Sequence, residues 1–177
     1  MIELRLGDIT TVEADAIVNA ANSALRGGGG VDGAIHSAAG PRVMDELRTR
    51  YPNGTPTGTA VVTGAGLLRA RFIIHAVGPI WRGGGAGEEE LLTSAYRDSL
   101  LRGSEVGART VAFPAISCGI YGYPVSKAAP IAIRTVQEHV SEAPGIDRVI
   151  FVLRSADVMA AFETALVAAS RGSAPPP

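Results

Sequence analysis

Ile2, Leu4 and Leu6 alternate with Glu3 and Arg5, a period of two that predicts an edge or half-buried strand. Gly7-Asp8-Ile9-Thr10 then turns the chain. Ala16-Ile17-Val18 is a short apolar run that reads as a buried strand ending in Asn19-Ala20-Ala21-Asn22. After four glycines, Asp32 to Ala39 reads as a short helix, closed by Gly40 and restarted by Pro41 into a second helix that ends near Arg50. Thr59 to Thr63 and Arg71 to Val77 are rich in Val and Ile and predict two more strands. Leu91, Leu92, Ala95, Tyr96, Leu100 and Leu101 recur at helical spacing across Glu88 to Glu105, with acids in the first turn. Strand Thr110–Phe113, loop Pro114–Tyr123, helix Pro124–Glu142, strand Arg148–Leu153 and helix Ser155–Ser170 complete the pattern. Strands alternating with helices imply a mostly parallel sheet covered on both faces. In such a sheet ligands bind beyond the carboxyl ends of the strands.

At 177 residues and 46% hydrophobic, the chain is long enough to bury one good core, so one domain over residues 1–170 is expected, with 171–177 as an unstructured tail. Residues 1–87 carry 8 basic and 7 acidic side chains, and residues 88–177 carry 8 and 10. Neither half has the basic excess that a phosphate backbone requires, which disfavours an RNA-associated regulator. Cys118 is the single cysteine, so no internal disulfide and no cysteine-based zinc site is expected, and three scattered histidines make no metal site. The start Met1-Ile2-Glu3-Leu4-Arg5 lacks the pattern of a signal peptide, and no run approaches ~20 apolar residues. A cytoplasmic protein with no membrane partner is expected.

The 22 glycines cluster at 27–30, 83–87 and 119–122. In the first cluster, Gly27-Gly28-Gly29-Gly30 lets backbone N–H groups approach a phosphate, and the following helix adds its unpaired N–H groups. Gly28 to Gly33 also matches the dinucleotide fingerprint G-x-G-x-x-G. That pattern should open directly from its strand, with an acid ~20 residues on. Here eight or more residues intervene after Val18, and position 52 is a proline, so a dehydrogenase is rejected. The loop Pro114–Tyr123 presents the same chemistry, and two such loops across a crevice suit a diphosphate. Asp32 and His36 share a helix face, as site support or as packing. Cys118 has no nearby histidine to generate a thiolate, and His75, inside an apolar strand, reads as a satisfied core residue. Asn19 and Asn22 read as turn formers holding their own backbone, and Trp81 as a packed anchor or a ligand contact.

The run GDITTVEADAIVNAANSALRGGGGVDGAIHSAAG (Gly7–Gly40) strongly resembles the start of macrodomains of the MacroD type, as do PTGTAVVTGAG, HAVGPIWRGG and FPAISCGIYGYP. The similarity covers about residues 2–170. It implies a three-layer α/β/α sandwich with a mixed, mostly parallel central sheet and an ADP-ribose cleft at the strand ends. It implies that Asp8 accepts the adenine amino hydrogen beside Ile9 N–H, and that Asn22 bonds the distal ribose. Gly28, Gly29, Gly30, Val31 and Asp32 would wrap the distal ribose and one phosphate. Ser117, Cys118, Gly119, Ile120, Tyr121 and Gly122 would hold the diphosphate. Asp32, aided by Asn22, would activate or position the attacking water.

The activities implied are removal of ADP-ribose from acidic protein side chains and deacetylation of O-acetyl-ADP-ribose, with no cofactor, no metal and a monomeric chain. ADP-ribosylated nucleic-acid ends are chemically similar substrates. The alternative is a non-catalytic reader of ADP-ribosylated proteins, in which Asp32 is dispensable. The chain departs from the family pattern at Arg26, Ser37 and Cys118, and most at Arg154, which stands where relatives place an aromatic that stacks on adenine. A guanidinium can also lie on a base face.

Overall fold

The computed structural model describes residues 1–172. Six strands form one sheet: β1 (Ile2–Leu6), β2 (Ala16–Ala20), β3 (Ala60–Gly64), β4 (Phe72–Ala76), β5 (Thr110–Phe113) and β6 (Arg148–Leu153). Their spatial order is β1-β6-β5-β2-β4-β3. Every neighbouring pair is parallel except β3 with β4, so the sheet is mixed and mostly parallel as expected. Helices α1 (Gly30–Ala39), α2 (Pro41–Arg50), α3 (Glu88–Glu105), α4 (Val125–His139) and α5 (Ala156–Gly172) cover it.

Strand alternation divides the core in two. Ala16, Val18, Ile74, Ala76, Val111, Phe113, Phe151 and Leu153 face one way and pack with Leu92, Tyr96, Ala132, Val136 and Phe162 of α3, α4 and α5. Ile17, Ile73, Ala112, Ile150 and Val152 face the other way, against Ile35, Val43 and Leu47 of α1 and α2. The result is a three-layer α/β/α sandwich. An aromatic run through Tyr96, Phe113, Phe151 and Phe162, with centroid spacings of 5.1–5.7 Å between successive rings, fills the larger half-core.

β3, β4 and the starts of α4 and α5 shift by one residue from expectation, and four boundaries differ in more telling ways. β2 continues through Asn19 to Ala20, because Asn19 and Ala20 pair in register with His75 and Ala76. α1 starts at Gly30, inside the glycine run. α4 ends at His139 and relaxes into one turn of 3₁₀ helix over Val140–Glu142. α5 includes Arg171 and Gly172, which corrects the expected start of the tail at 171. Residues 173–177 lie outside the described residues, and with them the rest of that tail. Among the described residues no helix is long and apolar enough to cross a membrane.

Chain direction changes at the pair β2 and β5. The chain leaving β2 goes to β3 and β4 on one side, and the chain leaving β5 goes to β6 on the other. That reversal opens a crevice between the two loops that follow these strands.

Candidate active site

The crevice is a cleft of 220 Å³ lined by Ala20, Ala21 and Asn22 after β2, Gly28 to Asp32 at the start of α1, Gly78, and Ala115, Ile116, Ser117, Gly119, Ile120 and Tyr121 after β5. Most of the expected site residues therefore come together. Cys118 and Gly122 belong to the same loop but are not in the lining. Cys118 packs against the larger half-core, and burial pushes its thiol up to about 12, which removes it as a nucleophile.

The first wall is built on close backbone approach. A Cβ at Gly33 would lie 2.6 Å from Gly28 O, so only glycine lets the first turn of α1 close onto the loop. Asn22 Nδ2 donates to Gly27 O at 2.7 Å and holds the loop's other end. Asn22 Oδ1 is buried without a hydrogen-bond partner among the described residues. Gly28 lies between Asn22 and Asp32: a Cβ there would sit 3.6 Å from Asn22 Nδ2 and 3.3 Å from Asp32 Oδ2.

Asp32 lies in the first turn of α1 but does not cap it. The N-cap is Gly29, with no side-chain cap bond. The Asp32 side chain instead points into the protein, 7% exposed, and its Oδ1 accepts from Asn19 Nδ2 at 2.7 Å. His36 Nε2 lies 3.3 Å from the same oxygen, which makes site support the better reading of His36. Asn19 Nδ2 also contacts His75 Nδ1 at 3.2 Å. Burial is the main cause that holds the His75 imidazole down at about 3, with the charge of His36 adding to it and that of Asp32 opposing. His75 is thus neutral, and the core reading of it holds.

The second wall is held by a residue that sequence reading places only as core. Tyr96, 0% exposed on α3, accepts from Ile116 N–H at 3.0 Å and reaches Pro114 O at 3.4 Å. Two turns follow, closed by Cys118 N–H to Ala115 O and Gly122 N–H to Gly119 O. Ser117 is forced to φ +66 and is buried, its hydroxyl without a partner among the described residues. Such strain persists only where surrounding structure imposes it, and it concentrates at functional sites. Gly78 is required beneath it, since a Cβ there would meet Ser117 Oγ at 2.3 Å. Trp81 N–H donates to Tyr121 O, and the Trp81 ring packs 4.6 Å from that of Tyr123, which fits the packed anchor.

Asp8, Ile9 and Arg154 lie outside the cleft lining, at the carboxyl ends of β1 and β6. Asp8 Oδ1 accepts from Thr10 N–H at 2.9 Å and from the Thr10 hydroxyl at 2.8 Å. Those two bonds, helped by the nearby Arg154 charge and opposed by slight burial, hold its carboxyl below the usual range. The ends of β1, β6, β5 and β2 are consecutive along one edge of the sheet. Three strand spacings of about 4.8 Å make a track roughly 14 Å long. At its β2 end lie Asp32, Asn22 and the first glycine loop, with the Ser117–Gly122 loop next to it at the end of β5. At its β1 end lie a carboxylate and a guanidinium.

Among the described residues no three His, Cys, Asp or Glu side chains gather in a way that could hold a metal ion. Asn19 is the site residue that sequence reading left among turn formers. Its signal was parity: it stands two residues after Ile17, on the face that α1 covers.

Comparison with known proteins agrees with this geometry. The family model described as "Macro domain" matches residues 18–132. A macro domain-containing protein of Ralstonia nicotianae is 55% identical over 159 residues, spanning 90% of each chain. A Citrobacter rodentium protein named O-acetyl-ADP-ribose deacetylase is 52% identical over 148 residues, 82% of this chain and 84% of that one. Among solved structures, a mutant of the Oceanobacillus iheyensis macrodomain with ADP-ribose superposes with a TM-score of 0.90 at 39% identity, covering 96% of this chain and 94% of that one. The Trypanosoma brucei macrodomain in complex with ADP-ribose gives 0.84 at 37%, covering 92% and 68%. With the sheet order, the glycine-built cleft and these likenesses in agreement, the chain belongs to the macro domain family.

Proposed function

We propose that this protein binds ADP-ribose along the strand-end track and hydrolyses an ester on its distal ribose. The substrates would be the acyl esters O-acetyl-ADP-ribose and proteins mono-ADP-ribosylated on acidic side chains, with ADP-ribosylated nucleic-acid ends, joined through a phosphate ester, as a chemically similar further substrate outside the acyl step below. The observation that carries the reading is Asp32. Its carboxyl group is buried and clamped at Oδ1, with Oδ2 facing Gly28 in the cleft that Asn22 and both loops line. Relatives named for the deacetylase at 52% identity support it.

In this reading Ser117, Gly119 and their neighbours offer N–H groups to the diphosphate, and Asn22 offers its amide to the distal ribose. Asp8 and Arg154 take the base. Asp32 orients a water against the acyl carbonyl and accepts its proton. The acyl C–O bond breaks, the ribose oxygen is protonated, and ADP-ribose and a carboxylic acid leave. An ester of a carboxylic acid is labile enough that holding water and carbonyl in line supplies most of the acceleration. Neither a covalent enzyme intermediate nor a metal enters the scheme.

The test is direct. The protein, treated with EDTA, is incubated with O-acetyl-ADP-ribose and with a mono-ADP-ribosylated acceptor protein, and free ADP-ribose is measured. Release from either ester without loss to the chelator is expected. Tight ADP-ribose binding with both esters left intact would make the chain a reader. Full loss of release on chelation would overturn the metal-free scheme.

A further inference from the structure

Behind Asp32 runs a chain of buried polar groups whose contacts fit one set of directions. Thr63 Oγ1 donates to Gly64 O at 2.9 Å. A hydroxyl has one hydrogen, so at its 2.8 Å contact with His75 Nε2 it accepts. That arrangement puts the His75 proton on Nε2 and a lone pair at Nδ1. Asn19 fills that lone pair with one N–H at 3.2 Å and sends the other to Asp32 Oδ1 at 2.7 Å. Thr63, His75 and Asn19 are each 0% exposed, so water cannot substitute at any link. The chain crosses three strands, from the edge strand β3 through β4 to β2, on the face that α1 covers.

We propose that Thr63 and His75 are positioning residues: by fixing the imidazole tautomer they fix the Asn19 amide, and through it the orientation of the Asp32 carboxyl group. The inference rests on the hydrolase reading. With the proton on Nδ1 instead, two N–H groups would face each other between His75 and Asn19. The amide would turn over and set its carbonyl oxygen against the Asp32 carboxylate. Asp32 would swing out of line, and misplacement by about 1 Å can cost on the order of a hundredfold in rate. His36 holds the same carboxyl group from its own helix, so the His75 chain supplies the second constraint, the one that comes from the sheet. A purely space-filling role would leave the choice of tautomer without consequence. It would also allow an isosteric apolar residue at 63.

The experiment combines a tautomer measurement with two variants. Long-range nitrogen–proton NMR on the wild type should show His75 protonated on Nε2, and protonation on Nδ1 overturns the proposal. Thr63→Val removes the acceptor at nearly constant volume, and Thr63→Ser restores it. Single-turnover hydrolysis of O-acetyl-ADP-ribose should slow by about tenfold to a hundredfold in Thr63→Val, with ADP-ribose affinity within about threefold of wild type. Thr63→Ser should recover most of the rate. A folded Thr63→Val that turns over like the wild type overturns the proposal. So does one that loses affinity, rate and melting temperature together, because that marks a structural role. Should the wild type hydrolyse no ester, the hydrolase reading falls separately. The hydrogen-bond chain is then judged on the wild-type tautomer and on whether Thr63→Val shifts the Asn19 side-chain amide resonance.

Discussion

Asn19 and His75 are polar side chains in otherwise apolar strands, and each finds partners only because the sheet brings it to the other. An unpaired buried amide or imidazole costs on the order of 1–3 kcal/mol, so such residues persist where they are hydrogen-bonded. One consequence concerns acid. The unfolded chain protonates His75 near its ordinary 6.5, whereas the folded chain resists until about 3. Between those values the unfolded state holds more protons, so stability falls as pH drops, by up to about 1.4 kcal/mol per pH unit. Above 6.5 the contribution is flat. The lowered carboxyls of Glu3, Asp8, Asp15, Glu88 and Glu142 act below their ordinary values of 4.5 and 3.8, so the window from pH 6.5 to 5 is the one in which to read the His75 imidazole. Urea midpoints measured across that window should fall with acid in the wild type and much less in His75→Gln. Equal slopes would show that His75 is not held neutral. Asp8 yields a second residue-scale expectation. Asp8→Asn keeps an oxygen for the Thr10 N–H and so should leave the melting temperature alone. It loses the charge that the adenine amine would meet, and calorimetry should show ADP-ribose affinity weaker by about 1–3 kcal/mol. Unchanged affinity would move the base elsewhere. Asp32, Asn22 and the glycines were legible as chemistry from residue type and spacing. His36 was legible beside Asp32 from its helical spacing, but the Asn19–His75 pair behind Asp32 was not, since Asn19 lies 13 residues from Asp32 and His75 another 56 beyond Asn19, and only strand register joins those two.

Hydrophobic period and Val/Ile-rich runs, with the stop and restart at Gly40 and Pro41, were enough to place these six strands and five helices. What they missed were ends. β2 runs two residues past its apolar core because ladder pairing with β4 continues regardless of side-chain polarity. α1 begins within the glycines, where tertiary closure on Gly28 overrides the low helix propensity of glycine. The loop after β5 was legible as a strand-to-helix connection with small residues, but its shape was not. That shape depends on Tyr96 from α3 and on the absence of a side chain at Gly78. The element-scale prediction follows from its geometry. A Cβ at Gly119 meets nothing within 4 Å, so Gly119→Glu fits the fold and projects a charged chain at the cleft. The variant should melt like the wild type and bind no detectable ADP-ribose by calorimetry. Wild-type affinity in the folded variant would contradict the assignment of this loop to the diphosphate.

For the molecule as a whole, the parallel strands set the site by aligning their carboxyl ends. Four of them, β1, β6, β5 and β2, bring Asp8, Arg154, the Ser117–Gly122 loop and the Gly28–Asp32 loop into one line, although Asp8 and Arg154, at the same end of it, are separated by most of the chain. A ligand with a base at one end, a diphosphate in the middle and a reactive ribose at the other matches that line in order and in its length of roughly 14 Å. The chemistry then depends on whether the buried Asp32 acts on the ester or only shapes the pocket. Asn would occupy the same space as Asp and bring an amide where the carboxylate lies, without its proton affinity. The decisive measurement is the single-turnover rate on O-acetyl-ADP-ribose for the wild type and Asp32→Asn, with ADP-ribose affinity and melting temperature recorded for both. A rate lower by about a hundredfold or more, with ADP-ribose still bound by a folded protein, is the expected result. An Asp32→Asn protein that hydrolyses the ester as fast as the wild type would contradict it.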